Sequence, residues 1–143
     1  MKMLGSESDK GAALVEFAIV LPMLALLLLG IIDSGRYAYD AILAANAARA
    51  GVDYGAQNLV TAGDVTGQQN AALADAQNLP GMSASPSPTF CMSGGAVVAC
   101  TTSGASYYVQ VNTSGTFTPW VKWPLLPASV TVNGSATMRV EQQ

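Results

Sequence analysis

The apolar stretch from Ala12 to Ile32 is the feature that most constrains what this chain can fold into. It is 21 residues long, and the part from Phe17 to Ile32 carries no charge. As an α-helix it would measure roughly 31 Å, which matches the hydrocarbon thickness of a bilayer. Pro22 lies inside it, and membrane helices tolerate proline where neighbouring groups satisfy the freed carbonyl. The stretch therefore predicts a membrane-inserted helix.

A single acid, Glu16, lies near the start of this stretch. A carboxylate in a membrane costs about 2.5–3.5 kcal/mol at mid-span and less near the edge, so a function is expected for it. One interpretation is an interfacial acid stabilised by the dipole of the helix N-terminus. The other follows if the chain is cut between Gly11 and Ala12. The new α-amino cation would then lie one turn from Glu16, and the carboxylate would pair with its own terminus or with that of a neighbouring copy.

Three interpretations of the apolar stretch compete. A cleavable secretory signal needs a shorter apolar core that ends in a small-residue cleavage site, and no such site follows Ile32. A permanent single-pass anchor accounts for everything except Glu16. Processing after Gly11 accounts for Glu16 as well.

The residues around Glu16 form a known pattern. A short polar leader ends in Lys10 and Gly11, the glutamate follows five residues after the glycine, and Phe17 opens the uncharged run. This pattern resembles the class III signal of type IV pilins. Within that group, residues 10–51 resemble the TadE-like family of minor pilins, or pseudopilins, of the tight adherence (Flp) pilus system. Residues 117–140 resemble the end of such proteins more loosely.

The resemblance implies how the N-terminus is processed and what the chain binds. A prepilin peptidase would cut after Gly11, so that residues 1–11 are a leader and Ala12 is the mature N-terminus. Glu16 and Phe17 would then serve assembly and register. The implied partners are this peptidase, the major Flp pilin and other minor pilins in the bacterial inner membrane. The N-terminus would be cytoplasmic and the head periplasmic, or extracellular in an assembled pilus, although the leader's charges favour this orientation only weakly.

Helical spacing continues beyond the apolar stretch. Residues 12–56 predict one helix, about 65 Å long, with a membrane-spanning half and a soluble half. Ala41, Ala45 and Ala48 form a stripe of small residues that lets another helix or the chain's own sheet approach closely. Residues 57–143 would form the exported head. The expected fold class is α+β: a long N-terminal helix packed on a small antiparallel sheet, as in pilins.

The head is predicted to contain a second helix and at least two strands. The helix begins near Asp64 or Thr66 and ends by Pro80. Residues 107–113 and 129–141 alternate apolar and polar side chains, which predicts strands.

Two further segments of the head are predicted to lack strands. Residues 82–90 are rich in Ser and Pro, which predicts a loop. Residues 117–127 contain three prolines, which excludes a central strand and predicts an extended crossover.

Cys91 and Cys100 flank a hairpin-like stretch that turns near Gly94 and Gly95. Such a turn would bring the two sulfurs within bridging distance, in a compartment that permits oxidation. A disulfide over so short a loop would stabilise the head by about 2–3 kcal/mol. Zinc is the alternative, but two thiols in a chain without histidine do not complete a tetrahedral site. We expect a structural disulfide.

Composition argues against an enzyme. The chain has no histidine, so Ser-His and Cys-His pairs are impossible, and nothing marks a nucleophile for a Ser/Lys pair with Lys122. No glycine-rich phosphate loop follows a strand. The net charge of −3 argues against nucleic acid, which needs a basic surface. We expect no catalytic residues, no cofactor, no metal and no small-molecule substrate.

Two functions remain open. The first is a minor pilin, whose helix packs into a bundle and supports pilus assembly and surface adherence. The alternative is a permanently anchored adhesin-like module that does not polymerise and binds a surface through aromatic residues. Those aromatics form either a contact patch or the core of the head, and exposed aromatic patches are the exception. They are Trp120, Trp123, Tyr107 and Tyr108.

Overall fold

The structure, a computed structural model, describes residues 6–122 and 127–141, with side chains from residue 11 onward. It confirms the predicted α+β class, because a long apolar N-terminal helix is followed by a small antiparallel sheet. The elements in chain order are α1 (Ser6–Gly55), α2 (Leu59–Gly63), α3 (Val65–Asp75), β1 (Ser83–Pro86), β2 (Phe90–Ser93), β3 (Ala96–Val98), β4 (Ser106–Phe117) and β5 (Val130–Arg139).

The chain divides between Arg36 and Tyr37 into two compact units. The first unit contains the N-terminal part of α1. The second contains the C-terminal part of α1 together with α2, α3 and the five strands. Residues 37–55, which the sequence assigns to the stalk helix, therefore belong to the same unit as the head.

The N-terminal part of α1 is apolar and exposed. Most large apolar side chains between Leu14 and Ile32 are 45–70% exposed. The most apolar 18-residue window has a mean hydropathy of 2.6, and none of it is buried within the chain. Pro22 lies inside the helix. By length and composition this helix is able to cross a membrane.

The sheet of the second unit is built around β4. β5 pairs with one edge of β4, from Tyr108 opposite Arg139 to Phe117 opposite Val130. The other edge of β4 is shared by β1 and β2, and β3 adds to β2 as a hairpin. Every pairing is antiparallel, and the two strands predicted from alternation are confirmed as β4 and β5.

Two predictions for the head are wrong. The segment 82–90, predicted as a loop, forms β1 and begins β2. Pro86 is tolerated because it ends a strand at the edge of the sheet. The segment 117–127 is not a crossover, because the strands that it connects, β4 and β5, are direct neighbours. Apart from Phe117, the last residue of β4, its described part contains no strand residue.

The second helix begins where the sequence predicts. The Asp64 side chain accepts a hydrogen bond from the Gly67 amide and caps α3, which ends well before Pro80. The short helix α2 before it is not predicted. Its N-terminal signal is Asn58, whose side chain accepts from the Thr61 amide while the Thr61 hydroxyl accepts from the Asn58 amide. This reciprocal pair is a capping box, with threonine in the position usually held by Glu or Gln.

The core of the head lies between the C-terminal part of α1 and the inner face of the sheet. On α1, Ala44, Ala47 and Ala48 are fully buried. The Thr113 hydroxyl of β4 donates to the Ala44 carbonyl oxygen at 2.7 Å. A Cβ on Gly134 of β5 would overlap that same carbonyl. Small residues on both surfaces thus allow the helix backbone to approach the sheet closely.

Candidate functional site

The predicted processing and register residues lie on the exposed N-terminal part of α1. Gly11 and Ala12 have helical backbone, and Glu16 and Phe17 follow one turn later, all exposed. Ala12 and Glu16 lie on the same face because they are four residues apart. Glu16 has no ion-pair partner among the side chains that the structure describes. Its carboxylate is therefore accessible to a cation on another molecule.

Cleavage after Gly11 would require this turn of α1 to unwind, because a protease binds an extended backbone. Glycine lowers that cost, since it is about 1 kcal/mol less favourable than alanine inside a helix. A Cβ at Gly11 would meet nothing within 4 Å. Packing within the chain therefore does not explain the glycine.

The predicted alanine stripe lies partly on the face that the head buries. Ala48 is fully buried in the second unit, whereas Ala41 and Ala45 are half-buried. The fully buried face runs through Ala44, Ala47 and Val52 as well. Ala41 and Ala45 thus lie at the margin of this face, and packing of the stripe against another subunit stays a prediction.

The disulfide between Cys91 and Cys100 is confirmed. Its Cα atoms are 5.1 Å apart, and both central residues of the turn, Gly94 and Gly95, have positive φ, at 60° and 86°. This is the backbone that a two-residue hairpin of type I′ requires. Cys91 lies opposite Val98 in the ladder, so the bond closes the hairpin just beyond the end of β3.

The four predicted contact aromatics do not form one patch within the described residues. Tyr107 and Tyr108 are neighbours on β4, so their side chains point to opposite faces of the sheet. Tyr107 packs against the buried core. Tyr108 stacks on Phe90 on the outer face, with ring centroids 6.0 Å apart. Trp120 is 68% exposed, and Trp123 lies outside the described residues.

The outer face of the sheet carries a polar cavity that the sequence analysis does not predict. Its volume is about 360 Å³. Alternation in β4 and β5 indicates which side chains point outward, but only the register shows that polar positions from three strands converge. The lining residues are Ser85, Asn112, Thr113, Ser114, Asn133, Gly134 and Ser135.

Tyr54 and Asp64 form a charged hydrogen bond that ties α1 to the start of α3. The Tyr54 hydroxyl donates to Asp64 Oδ2 at 2.7 Å, and the Gly67 amide donates to Oδ1 at 2.9 Å. The Gly67 amide, and then the Tyr54 hydroxyl, lower the pKa of Asp64 below its usual 3.8. The hydrogen bond to Asp64 raises the pKa of Tyr54 above 10.0. The pair serves as a structural cap.

Gln68 of α3 is a fully buried polar side chain. Its Nε2 donates to the carbonyl oxygens of Thr61 and Ala62, at 3.0 and 2.9 Å. Its Oε1 has no hydrogen-bond partner among the described residues. Gly55 makes room for this side chain, since a Cβ there would lie 2.8 Å from Gln68 Cδ. Gln68 therefore holds α2 against α3 at the cost of one unsatisfied acceptor.

No cluster of three or more His, Cys, Asp or Glu side chains that would hold a metal ion occurs within residues 6–122 and 127–141. The described surfaces include an exposed apolar helix with one carboxylate, Glu16, and a neutral polar cavity on the sheet.

The comparison with protein families agrees with this picture. Residues 11–53 match the model of the family described as TadE-like protein. No curated protein and no solved structure matches the chain. The TadE-like match suggests involvement in the tight adherence pilus system, and this pilin-related family is structural rather than enzymatic. Over residues 11–53 the chain is therefore similar to the TadE-like family, which confirms the resemblance predicted from its sequence.

Proposed function

We propose that this chain is a minor pilin that is cut after Gly11 and packs through α1 into a tight adherence pilus or at its base. The observation that carries the proposal is the exposed apolar part of α1, which coincides with the TadE-like match. In this role the chain supports pilus assembly and surface adherence. Its partners are the prepilin peptidase, the major Flp pilin and other minor pilins.

The exposed apolar side chains of α1 must be shielded from water. Burying a Leu, Ile or Phe side chain is worth about 1.5–3 kcal/mol, so a helix with many of them does not stay in water. A bilayer provides that cover before assembly, and a bundle of pilin helices provides it afterwards. The proposed location is the inner membrane, with the N-terminus cytoplasmic and the head periplasmic, or extracellular in the filament.

Glu16 is the feature that separates a pilin from a simple anchor. A fixed anchor gains nothing from a carboxylate in its apolar segment, and pays for it in desolvation. After cleavage, the Ala12 amino group of a neighbouring copy supplies a cation at the same depth. Pairing the two would place each incoming subunit in one register.

Cleavage is tested by the mass and N-terminal sequence of the membrane-extracted protein, produced with and without prepilin peptidase. We expect the mature chain to begin at Ala12 only when the peptidase is present. Gly11→Leu should block cleavage. Gly35→Leu is the matched control, because Gly35 is also in α1 with nothing within 4 Å of an added Cβ. A chain that starts at Met1 in the presence of active peptidase would contradict the proposal.

Assembly is tested with Glu16→Gln, which keeps the size of the side chain and removes its charge. We expect membrane insertion and cleavage to persist while incorporation into sheared pili and surface adherence are lost. Ile19→Leu is the control, because Ile19 is an exposed apolar residue of the same segment to which no role in register is assigned. Normal piliation with Glu16→Gln would favour the alternative function, a permanently anchored binding module.

A further inference from the structure

We propose that the outer face of the sheet binds an uncharged carbohydrate chain, with Asn112 and Asn133 at the centre of the site. This inference goes beyond the pilin role, because the site lies wholly within the second unit and does not depend on cleavage or on polymerisation. It rests on the sheet register, on the cavity and on the absence of charge around it.

The register brings neutral side chains from three strands together. Asn112 of β4 lies opposite Ser135 of β5 and opposite Ser85 of β1. Ser114 lies opposite Asn133. Neighbouring strands are about 4.8 Å apart, and alternate residues along a strand are about 6.8 Å apart. Hydroxyl and carboxamide groups therefore recur at short intervals in two directions.

These side chains surround a cavity of about 360 Å³. The space is more open than enclosed, so a ligand would lie across it with one face in solvent. Thr113 and Gly134, which lie opposite each other on β4 and β5, complete the lining. The rim is ordered by hydrogen bonds between neighbours, Ser83 with Ser114 at 2.8 Å and Gln110 with Ser135 at 3.3 Å.

The two asparagines retain their hydrogen-bonding capacity. Neither Asn112 nor Asn133 makes a side-chain hydrogen bond to a described protein group, and both are exposed. Each carboxamide offers an acceptor oxygen and two N–H donors, and each serine hydroxyl both donates and accepts. Adjacent hydroxyl groups of a sugar ring present the complementary set of donors and acceptors.

The lack of charged side chains around the cavity disfavours charged ligands. Among the outward-facing positions of the sheet that the structure describes, only Arg139 is charged, and it lies opposite Tyr108 at the far end. An anionic or cationic ligand would find no counter-charge in the cavity. The cavity lining contains neither an aromatic residue nor arginine, whereas protein interfaces are enriched in both and depleted in serine. A neutral polyhydroxylated chain is the occupant that this surface fits best.

The same face supplies an aromatic surface for a longer chain. Tyr108 and Phe90 stack on each other there, four residues along β4 from Asn112. This spacing is about 14 Å. The apolar C–H face of a sugar packs well on an aromatic ring, so a saccharide extended along β4 would contact both the ring pair and the asparagines.

The test uses the full chain in lipid nanodiscs free of glycolipid and of sugar-based detergent. The probes are immobilised neutral oligosaccharides of glucose, galactose and N-acetylglucosamine, beside acidic polysaccharides. We expect binding to at least one neutral probe, weakened about tenfold or more in the double variant Asn112→Ala/Asn133→Ala, as expected for the loss of about two hydrogen bonds. Ser85→Trp, which fills the cavity, should have a similar effect.

The matched control is Thr116→Ala/Thr131→Ala, an exposed pair on the same face that does not line the cavity. It should bind as the unmodified chain does. Intact disulfide and unchanged thermal unfolding show that each variant is folded. Binding only to acidic probes, no binding to any neutral probe, or equal binding by the folded double variant would each overturn the proposal.

Discussion

The N-terminal and C-terminal parts of α1 differ in the size and the burial of their side chains. From Leu14 to Ile32 most side chains are large and apolar, and most of these are about half or more exposed. From Ala44 to Ala56 one face consists of Ala, Gly and Val residues that are almost fully buried against α2, α3 and the sheet. The buried face of the C-terminal part is apolar, as the N-terminal part is, so hydrophobicity alone does not distinguish these two surfaces. The size of the side chains does.

This difference agrees with the contacts proposed for each part of the helix. A fluid bilayer or a neighbouring helix adapts to bulky side chains, so Leu and Ile are suitable there. The folded sheet has a rigid backbone, and Gly134 lies so close to the Ala44 carbonyl that a Cβ would overlap it. Small residues on α1 are therefore required where the partner is the chain's own sheet.

The largest expected effect comes from placing a large residue on the small-residue face. Ala47→Leu adds three carbons at a position that is 0% exposed. Overpacking of this kind costs up to about 3 kcal/mol. We expect the free energy of unfolding of the head to fall by that amount, measured by denaturant titration with near-ultraviolet circular dichroism in micelles.

The reciprocal substitution is the control. Leu27→Ala removes a side chain that is 61% exposed, so the unfolding of the head should not change. If Leu27→Ala destabilised the head as much as Ala47→Leu, the distinction between the two parts of α1 would fail.

Removal of the disulfide is expected to have the next largest effect, and to destabilise only the head. Replacing Cys91 and Cys100 with alanine should lower the free energy of unfolding by about 2–3 kcal/mol, because the open hairpin gains freedom when unfolded. Insertion of the N-terminal part of α1 should be unaffected, as checked by resistance to alkaline extraction of membranes. A release of the variant from membranes would show that the head controls insertion.

Most of the fold could be predicted because its signals are local. The apolar run marks α1, alternation marks β4 and β5, and two glycines between two cysteines mark the bonded hairpin. β1 was missed because it is short, contains Pro86 and is held in place by β4, which is distant in sequence. α2 was missed because its five residues show no periodicity, and the Asn58 cap is its only signal.

The buried face of α1 shows a similar limit. Ala41, Ala45 and Ala48 have helical spacing, yet the face that the head covers is centred on Ala44, Ala47 and Ala48. Six of the ten residues 41–50 are alanine, so spacing alone does not reveal which face is buried. The positions of Thr113 and Gly134 on the sheet determine which face of α1 is buried. The polar cavity was missed for the same reason, because it depends on the register of three strands.

A smaller effect is expected from the hydrogen bond between the sheet and the helix. Thr113→Val keeps the shape of the side chain and removes the hydroxyl that donates to the Ala44 carbonyl. The expected loss is about 1 kcal/mol in the free energy of unfolding. Thr137→Val on the outer face of β5, where threonine is exposed, should have no such cost. Equal effects at the two sites would mean that this bond does not stabilise the close approach.

The smallest effect comes from Tyr54→Phe, and it depends on pH. Tyr54 lies in the C-terminal part of α1. Its hydroxyl donates to Asp64, the residue that caps α3. At neutral pH the variant should be slightly less stable than the unmodified protein. The measurement is thermal unfolding from pH 2 to pH 11, with Tyr39→Phe, at an exposed position of the same helix, as the control.

The sign of the pH dependence follows from the two pKa shifts. The pKa of Asp64 is lowered in the folded state, so the stabilisation is complete above its usual 3.8 and is lost as the pH falls through the folded value. The pKa of Tyr54 is raised, so the stabilisation is complete below 10.0 and is lost as the pH rises through the folded value. The difference in unfolding temperature between Tyr54→Phe and the unmodified protein should therefore be constant between pH 3.8 and pH 10.0. It should become smaller below and above this range. A difference that did not change from pH 2 to pH 11 would show that the contribution of the Tyr54 hydroxyl does not depend on the charge of Asp64.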